Sequence, residues 1–150
     1  MIKRVYIDNS VIGGMFDEEF ARYTKRLFHE FELGLFRPVI SSVTVEEIQG
    51  APQNVMAFFK KVEATAEIIT LSEDVVELSN VYLKEGKFSP QLRVDTLHIA
   101  VATVNHVELI ASWNFKHIVN LDRIRIYNAV NLKMGYPVVE IRSPREIIHE

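Results

Sequence analysis

Cysteine is missing from all 150 positions, which excludes disulfides and thiolate catalysis, weakens any zinc site, and fits a reducing compartment. No long apolar run follows the basic residues Lys3 and Arg4, so neither a signal peptide nor a membrane span is expected, and a cytoplasmic protein is. Glycine-rich phosphate loops of the Walker or Rossmann type are absent too. So are internal repeats, low-complexity tracts and an interdomain linker. A surplus of positive charge is also lacking: 17 Lys and Arg stand against 20 Asp and Glu, a net charge of -3 that argues against a generally basic nucleic-acid-binding surface.

What is present reads as one domain spanning 1–150. Hydrophobic residues make up 48% and charged residues 25%, close to ordinary globular values. The charge is unevenly spread. From Glu63 to Glu85 six acids face only Lys84, whereas from Trp113 to Gly135 the cations Lys116, Arg123, Arg125 and Lys133 face only Asp122. A solvated charge mosaic accounts for this as well as a phosphate-binding surface does.

Short β-type runs alternate with amphipathic stretches along the chain. Lys3 to Ile7, Pro38 to Ser41, Ala66 to Leu71, Glu108 to Ser112 and Pro137 to Ile141 are expected as strands. Helices are expected over Phe16 to Leu33, Ser42 to Gly50, from Pro52 through Val62, from Ser72 to about Glu85, over Asp95 to Asn105 and, less regularly because of Asn128 and Asn131, over Leu121 to Met134. A short helix opens at Ser143-Pro144. Such alternation predicts a mostly parallel sheet covered on both faces.

Three acids fall near ends of these elements. Asp8 closes the first strand, Glu47 lies on the short helix after the second, and Asp95 opens the helix before the fourth. Each has an ordinary explanation: Asp8 as an N-cap or Asx turn, Glu47 as a solvated helix glutamate, Asp95 as a first-turn acid that complements its helix dipole. In a parallel sheet, however, strand exits share one edge, where ligands bind. Carboxylates meeting there without a cation would repel one another.

Tyr6-Ile-Asp8-Asn-Ser-Val-Ile-Gly-Gly14, Ser42-Val-Thr-Val-Glu-Glu-Ile48 and Asp95-Thr-Leu-His-Ile-Ala100, in this order and spacing, resemble the acidic motifs of PIN-domain proteins, closest to the small prokaryotic VapC-like toxins. The resemblance implies a three-layer α/β/α sandwich around a central, mostly parallel five-stranded sheet. It implies metal-binding carboxylates at Asp8, Glu47 and Asp95, with Glu47 preferred to Glu46 because it directly precedes the aliphatic Ile48. Ser10 occupies the turn that supports the first acid and is a candidate for substrate binding. The family's fourth acidic position falls on Asn114, a departure that brings a carbonyl oxygen but no charge.

The implied activity is a magnesium- or manganese-dependent endoribonuclease, with RNA as substrate, an antitoxin protein as possible partner and a homodimer as the favoured assembly. Such chemistry needs no side-chain nucleophile, since a metal-bound water attacks the phosphodiester. Lys116, His117 and Arg123 follow Asn114 and are candidates for flanking phosphates, although plain surface roles serve equally well. His98 reads as a packed or hydrogen-bonded helix residue rather than a ligand, and Trp113 as core or rim. The main alternative is a catalytically weak PIN-like domain that binds RNA or a protein, supported by Asn114. A phosphatase using Asp8 as nucleophile is disfavoured because Ser10 stands where a second Asp is needed.

Overall fold

The structure, a computed structural model, describes residues 2–149. Strand β1 (Lys3–Ile7) leads into a short helix α1 (Asn9–Gly14), which runs through both glycines; Asp8 caps it by accepting from the Val11 N–H. Gly14 is required by a close approach. A Cβ there would stand 2.7 Å from Thr24 Oγ1 and 2.8 Å from Trp113 Nε1, the two atoms that hydrogen-bond each other at 2.9 Å.

Helix α2 (Ala21–Glu32) is shorter than the apolar pattern predicts. Residues 16–20 form turns instead, with the Asp17 side chain accepting from the Glu19 N–H and the Asp17 carbonyl from Phe20 and Ala21. Strand β2 (Phe36–Ser41) begins two residues before Pro38. Pro38 lies opposite Val5 but one residue ahead of the β3 pairing, so its missing N–H breaks no bond of that ladder. Helix α3 (Ser42–Glu47) is nucleated by a reciprocal cap between Ser41 and Thr44, and Gly50 reverses the chain after it at φ +84°. Helix α4 (Gln53–Thr65), β3 (Glu67–Ile69) and α5 (Glu73–Glu85) follow, the last capped by Ser72.

A 3₁₀ turn over Pro90–Leu92 feeds α6 (Arg93–Val104), which starts two residues earlier than expected. Asp95 therefore sits inside the first helical turn rather than at its head. Strand β4 is Leu109–Ala111, and α7 is Leu121–Lys133. The asparagines that weaken α7 as a helix pattern have interior partners: Asn131 is fully buried and accepts from Tyr82 Oη, while Asn128 accepts from Val139 N at 2.8 Å and donates to Val139 O at 3.0 Å. Because Asn128 takes both backbone groups of Val139, β5 spans only Glu140–Arg142 instead of beginning at Pro137. Helix α8 (Pro144–Ile147) follows the predicted Ser143 cap.

All five strands are parallel, in the order β3-β2-β1-β4-β5, with β1 central. Successive β1 residues face opposite layers, as pleating requires. Tyr6 joins Val39, Ile110 and Ile141 beneath α5, α6 and α7, whereas Val5 and Ile7 join Ile40, Leu109 and Ala111 against α1, α2 and α4. Burial of each large apolar side chain in these layers stabilises the fold by about 1.5–3 kcal/mol. Among the described residues no helix is long and apolar enough to cross a membrane.

Candidate active site

The chain leaves β1 in one direction to build β2 and β3, then returns to its other side to build β4 and β5. Between β1 and β4 the crossovers diverge, opening a crevice at the carboxyl ends of the strands. Ile7 pairs with Ala111, so the next residues, Asp8 and Ser112, emerge side by side into that crevice. Ser112 Oγ donates to Asp8 Oδ2 at 2.6 Å, and Ser10 Oγ donates to Asp8 Oδ1 at 2.5 Å. Asp8 is only 4% exposed. Burial pushes its carboxyl above the ordinary range, against the His98 charge and the bonds from Ser10, Ser112 and Val11.

Ser10 itself accepts from the Trp113 N–H at 2.8 Å, and Ser112 from the Asn114 N–H at 3.0 Å. The two hydroxyls thus tie the start of α1 to the turn after β4. Ser10 braces Asp8. Sequence reasoning missed Ser112; its signal was a hydroxyl at the exit of the strand that neighbours β1.

Glu47 is 37% exposed at the end of α3, and of the two adjacent glutamates it is the one with an interior partner. Its Oε1 meets His98 Nε2 at 3.0 Å, one turn along α6 from Asp95. His98 is 1% exposed, and its Nδ1 lies 2.6 Å from Tyr6 Oη, which lies 2.7 Å from Ser41 Oγ. Burial alone would lower the affinity of the imidazole for a proton, but Tyr6, the Glu47 hydrogen bond, and the Asp8 and Glu47 charges outweigh it and raise its pKa to about 10. The two ring nitrogens of His98 thus bridge Glu47 at the end of α3 and Tyr6 on β1, and Tyr6 in turn meets Ser41. Packing of α6 thereby holds Glu47 in place through a buried imidazole.

Asp95 is half-buried beside this group. Burial, then the Asp8 and Glu47 charges, push its carboxyl up to about 6, while His98 and Arg123 pull the other way. Among the described residues the only side chain within hydrogen-bonding reach is Asn114, whose Nδ2 lies 3.5 Å from Asp95 Oδ1. Asn114 Oδ1 accepts from the His117 N–H at 3.0 Å, which fixes the amide orientation: nitrogen, not oxygen, faces Asp95. The carbonyl oxygen expected to face a cation is engaged by the backbone.

The three later basic positions gather on one side of Asn114. Lys116, His117 and Arg123 line a cleft together with residues after α5, and burial followed by the Arg123 and Lys116 charges holds the His117 imidazole below its ordinary pKa. The structure therefore brings Asp8, Glu47 and Asp95 into one electrostatic neighbourhood, with Asn114 between that neighbourhood and the basic cleft.

Solved structures share this arrangement of strands and helices. The chain is similar to VapBC2 from Rickettsia felis bound to a DNA fragment from its promoter, with a TM-score of 0.60 and 13% identity over 93% of this chain and 98% of that one. It is similar to FitAcB from Neisseria gonorrhoeae, again with a TM-score of 0.60 and 13% identity, over 93% and 97%. A toxin-antitoxin complex from Klebsiella pneumoniae matches at a TM-score of 0.56 and 22% identity, over 75% and 88%. The chain has the VapC-like PIN fold. No family model and no curated protein matches it by sequence.

Within this PIN fold the acidic side chains offer only oxygen donors, the set preferred by magnesium and manganese. Among the described residues, no three His, Cys, Asp or Glu side chains stand close enough to form a ready-made metal cage. Magnesium does not need one, because it retains several waters and is held through one or two carboxylates together with substrate phosphate. The raised Asp8 and Asp95 carboxyls, the latter crowded by two like charges, are groups that a cation would relieve.

Proposed function

We propose that this PIN-like domain is a divalent-metal-dependent endoribonuclease and the toxin of a toxin-antitoxin pair. The observation that carries the reading is Asp95: a carboxylate at the strand-exit crevice, pushed up to about 6 by burial and by Asp8 and Glu47, with no cationic side chain among the described residues hydrogen-bonded to it. Perturbed carboxylates in a crevice are a signature of reacting sites. The partner proposal draws on the structural neighbours, which are toxin-antitoxin complexes.

Asp95 and Asp8 would hold magnesium or manganese, with Glu47 adding a third carboxylate at the rim. When bound, the ion supplies an activated water and neutralises charge that develops on the phosphate. The remaining work belongs to the chain. Ser10 and Ser112 fix both oxygens of Asp8, so its orientation does not depend on a ligand. His98 keeps Glu47 against α6, and Asn114 Nδ2 directs a weak donor to Asp95. Each arrangement exists before substrate arrives, which reduces the reorganisation required in the transition state.

Magnesium-dependent cleavage of single-stranded RNA tests the reading, with Asp95→Asn as the deciding variant. Cleavage should fall by at least about a hundredfold, while the far-ultraviolet circular dichroism stays unchanged and the melting temperature holds or rises, since one of three crowded charges is gone. Equal rates in the two proteins would refute it. One observation favours a second reading, a binding domain with little catalysis: an amide nitrogen, not a carboxylate, faces Asp95 at the fourth position. RNA binding without cleavage at saturating magnesium would select that reading.

A further inference from the structure

We propose that the cleft between the loop after α5 and the segment from Lys116 to Arg123 is a phosphate-binding subsite that seats an RNA backbone phosphate beside the acidic crevice. The identity of the ligand as RNA rests on the nuclease reading; the anion specificity does not.

The cleft has a volume of about 450 Å³, and Lys87, Ser89 and Gln91 face Lys116, His117 and Arg123 across it. Its lining includes three full positive charges and no carboxylate. Two polar atoms here are buried without a hydrogen-bond partner, Arg123 Nη1 and His117 Nδ1. An unsatisfied buried donor is costly, so the unpartnered Arg123 Nη1 in this cleft needs a reason; His117 Nδ1 adds a donor only in the tautomer that protonates it. A bound anion supplies it.

The orphaned guanidinium nitrogen is held where it is by packing. Arg123 lies over the Phe88 ring, its central carbon 4.2 Å from the ring centroid, and Phe88 rests edge-on against Tyr127. Gly86 lies so close to the Phe88 ring that any Cβ would run into it. Between them Lys87 adopts φ +54°, a left-handed conformation that costs a β-carbon-bearing residue about 1–2 kcal/mol. This residue closes α5: the Phe88 N–H bonds Leu83 O at 3.0 Å and the Lys87 N–H bonds Lys84 O at 3.2 Å, an ordinary left-handed helix end that fixes where the Lys87 side chain leaves the backbone. Among the described residues neither Lys87, Lys116 nor Arg123 forms an ion pair, unlike Arg4, Arg26, Lys133 and Arg142.

The subsite adjoins the acidic crevice through one residue. Asn114 takes the His117 N–H with its Oδ1 and presents its Nδ2 to Asp95, and the Arg123 charge is felt at Asp95. A strand of RNA with one phosphate in the cleft therefore continues directly towards Asp95. An exposed basic patch would attract the same strand only diffusely, without the orphaned, pre-positioned guanidinium of Arg123.

The probe is a fluorescein-labelled single-stranded RNA of about ten nucleotides, a length within single-strand site sizes. Its binding is followed by anisotropy in EDTA, where metal-dependent cleavage is silent, across a salt series. Two variants are compared with the wild type: Arg123→Gln, and Lys87→Asn, which tolerates the left-handed turn and removes only the charge. Each should weaken binding about five- to tenfold and reduce the salt slope by about 0.7, the value for one lost phosphate contact on a single strand. Inorganic pyrophosphate should compete with RNA on the wild type and much less on Arg123→Gln. Affinities within twofold of the wild type and unchanged slopes in both variants overturn the subsite, even if magnesium-dependent cleavage is intact. Loss of binding in the variants of a wild-type protein that cleaves nothing would uphold the subsite and sink the nuclease reading alone.

Discussion

Asn114→Asp restores charge at the position where this chain departs from the acidic pattern. The side chain keeps its shape, and the new carboxylate can still accept from the His117 N–H that Asn114 Oδ1 accepts from at 3.0 Å. Its other oxygen replaces Nδ2, 3.5 Å from Asp95 Oδ1. Two like charges at that separation repel by about 4 kcal/mol at the effective dielectric of a protein surface. Solvent screening of the half-buried pair and small rotations leave about 1–2 kcal/mol of this. Without metal, the variant should be less stable than the wild type near neutral pH by that amount, and Asp95 should take up its proton at still higher pH. A divalent cation converts the repulsion into attraction. The affinity for magnesium or manganese, measured by titration calorimetry on the free proteins, should therefore tighten about tenfold, the equivalent of 1.4 kcal/mol. Saturating magnesium should then recover the lost stability. A loss of metal-free stability with magnesium affinity unchanged within twofold would refute the reasoning, because it would leave the repulsion real but place the ion elsewhere.

Gly14→Ala should cost about 1–3 kcal/mol in urea unfolding, since its Cβ would meet Thr24 Oγ1 at 2.7 Å and force apart the bond to Trp113 Nε1. Glu30 supplies a pH dependence. Burial alone would raise its pKa, but His149 Nδ1 at 2.6 Å, His149 N at 2.9 Å and Arg26 Nε at 3.0 Å donate to it and hold it below the usual glutamate range. A lowered carboxylate contributes stability that is present above the ordinary glutamate pKa and is lost as pH falls through the folded value. Glu30→Gln should accordingly lose about 1–3 kcal/mol at neutral pH and little in strong acid. Denaturant unfolding at both ends of that range checks it, and parallel curves for the two proteins would contradict it.

Local patterning carried the layered architecture. Alternating strand and helix signals were enough for a parallel sheet with helices on both faces, because buried parallel strands need both faces covered. Caps that depend on neighbours in sequence were equally legible: Ser72 and Ser143 stand where expected, and Pro52 falls one place before the first residue of α4. Boundaries shifted where a side chain competed for backbone groups, as Asp17 does before α2 and Asn128 does beside Val139. Neither competition has a periodic signature.

The sequence alone determined that Asp8, Glu47 and Asp95 lie near element ends, and that a basic stretch follows Asn114. Only the tertiary structure decided what each of them touches. Asp8 is 104 positions from the Ser112 that holds it, and Glu47 is 51 from the His98 that anchors it. Such partners are set by strand order, with β4 rather than β3 placed beside β1, and strand order is a competition among long-range packings that local propensity does not encode. The same holds for Asn114 and Arg123. That Asn114 turns its nitrogen to Asp95 follows from one backbone N–H, and that Arg123 keeps a free donor follows from a phenylalanine 35 positions earlier in the chain.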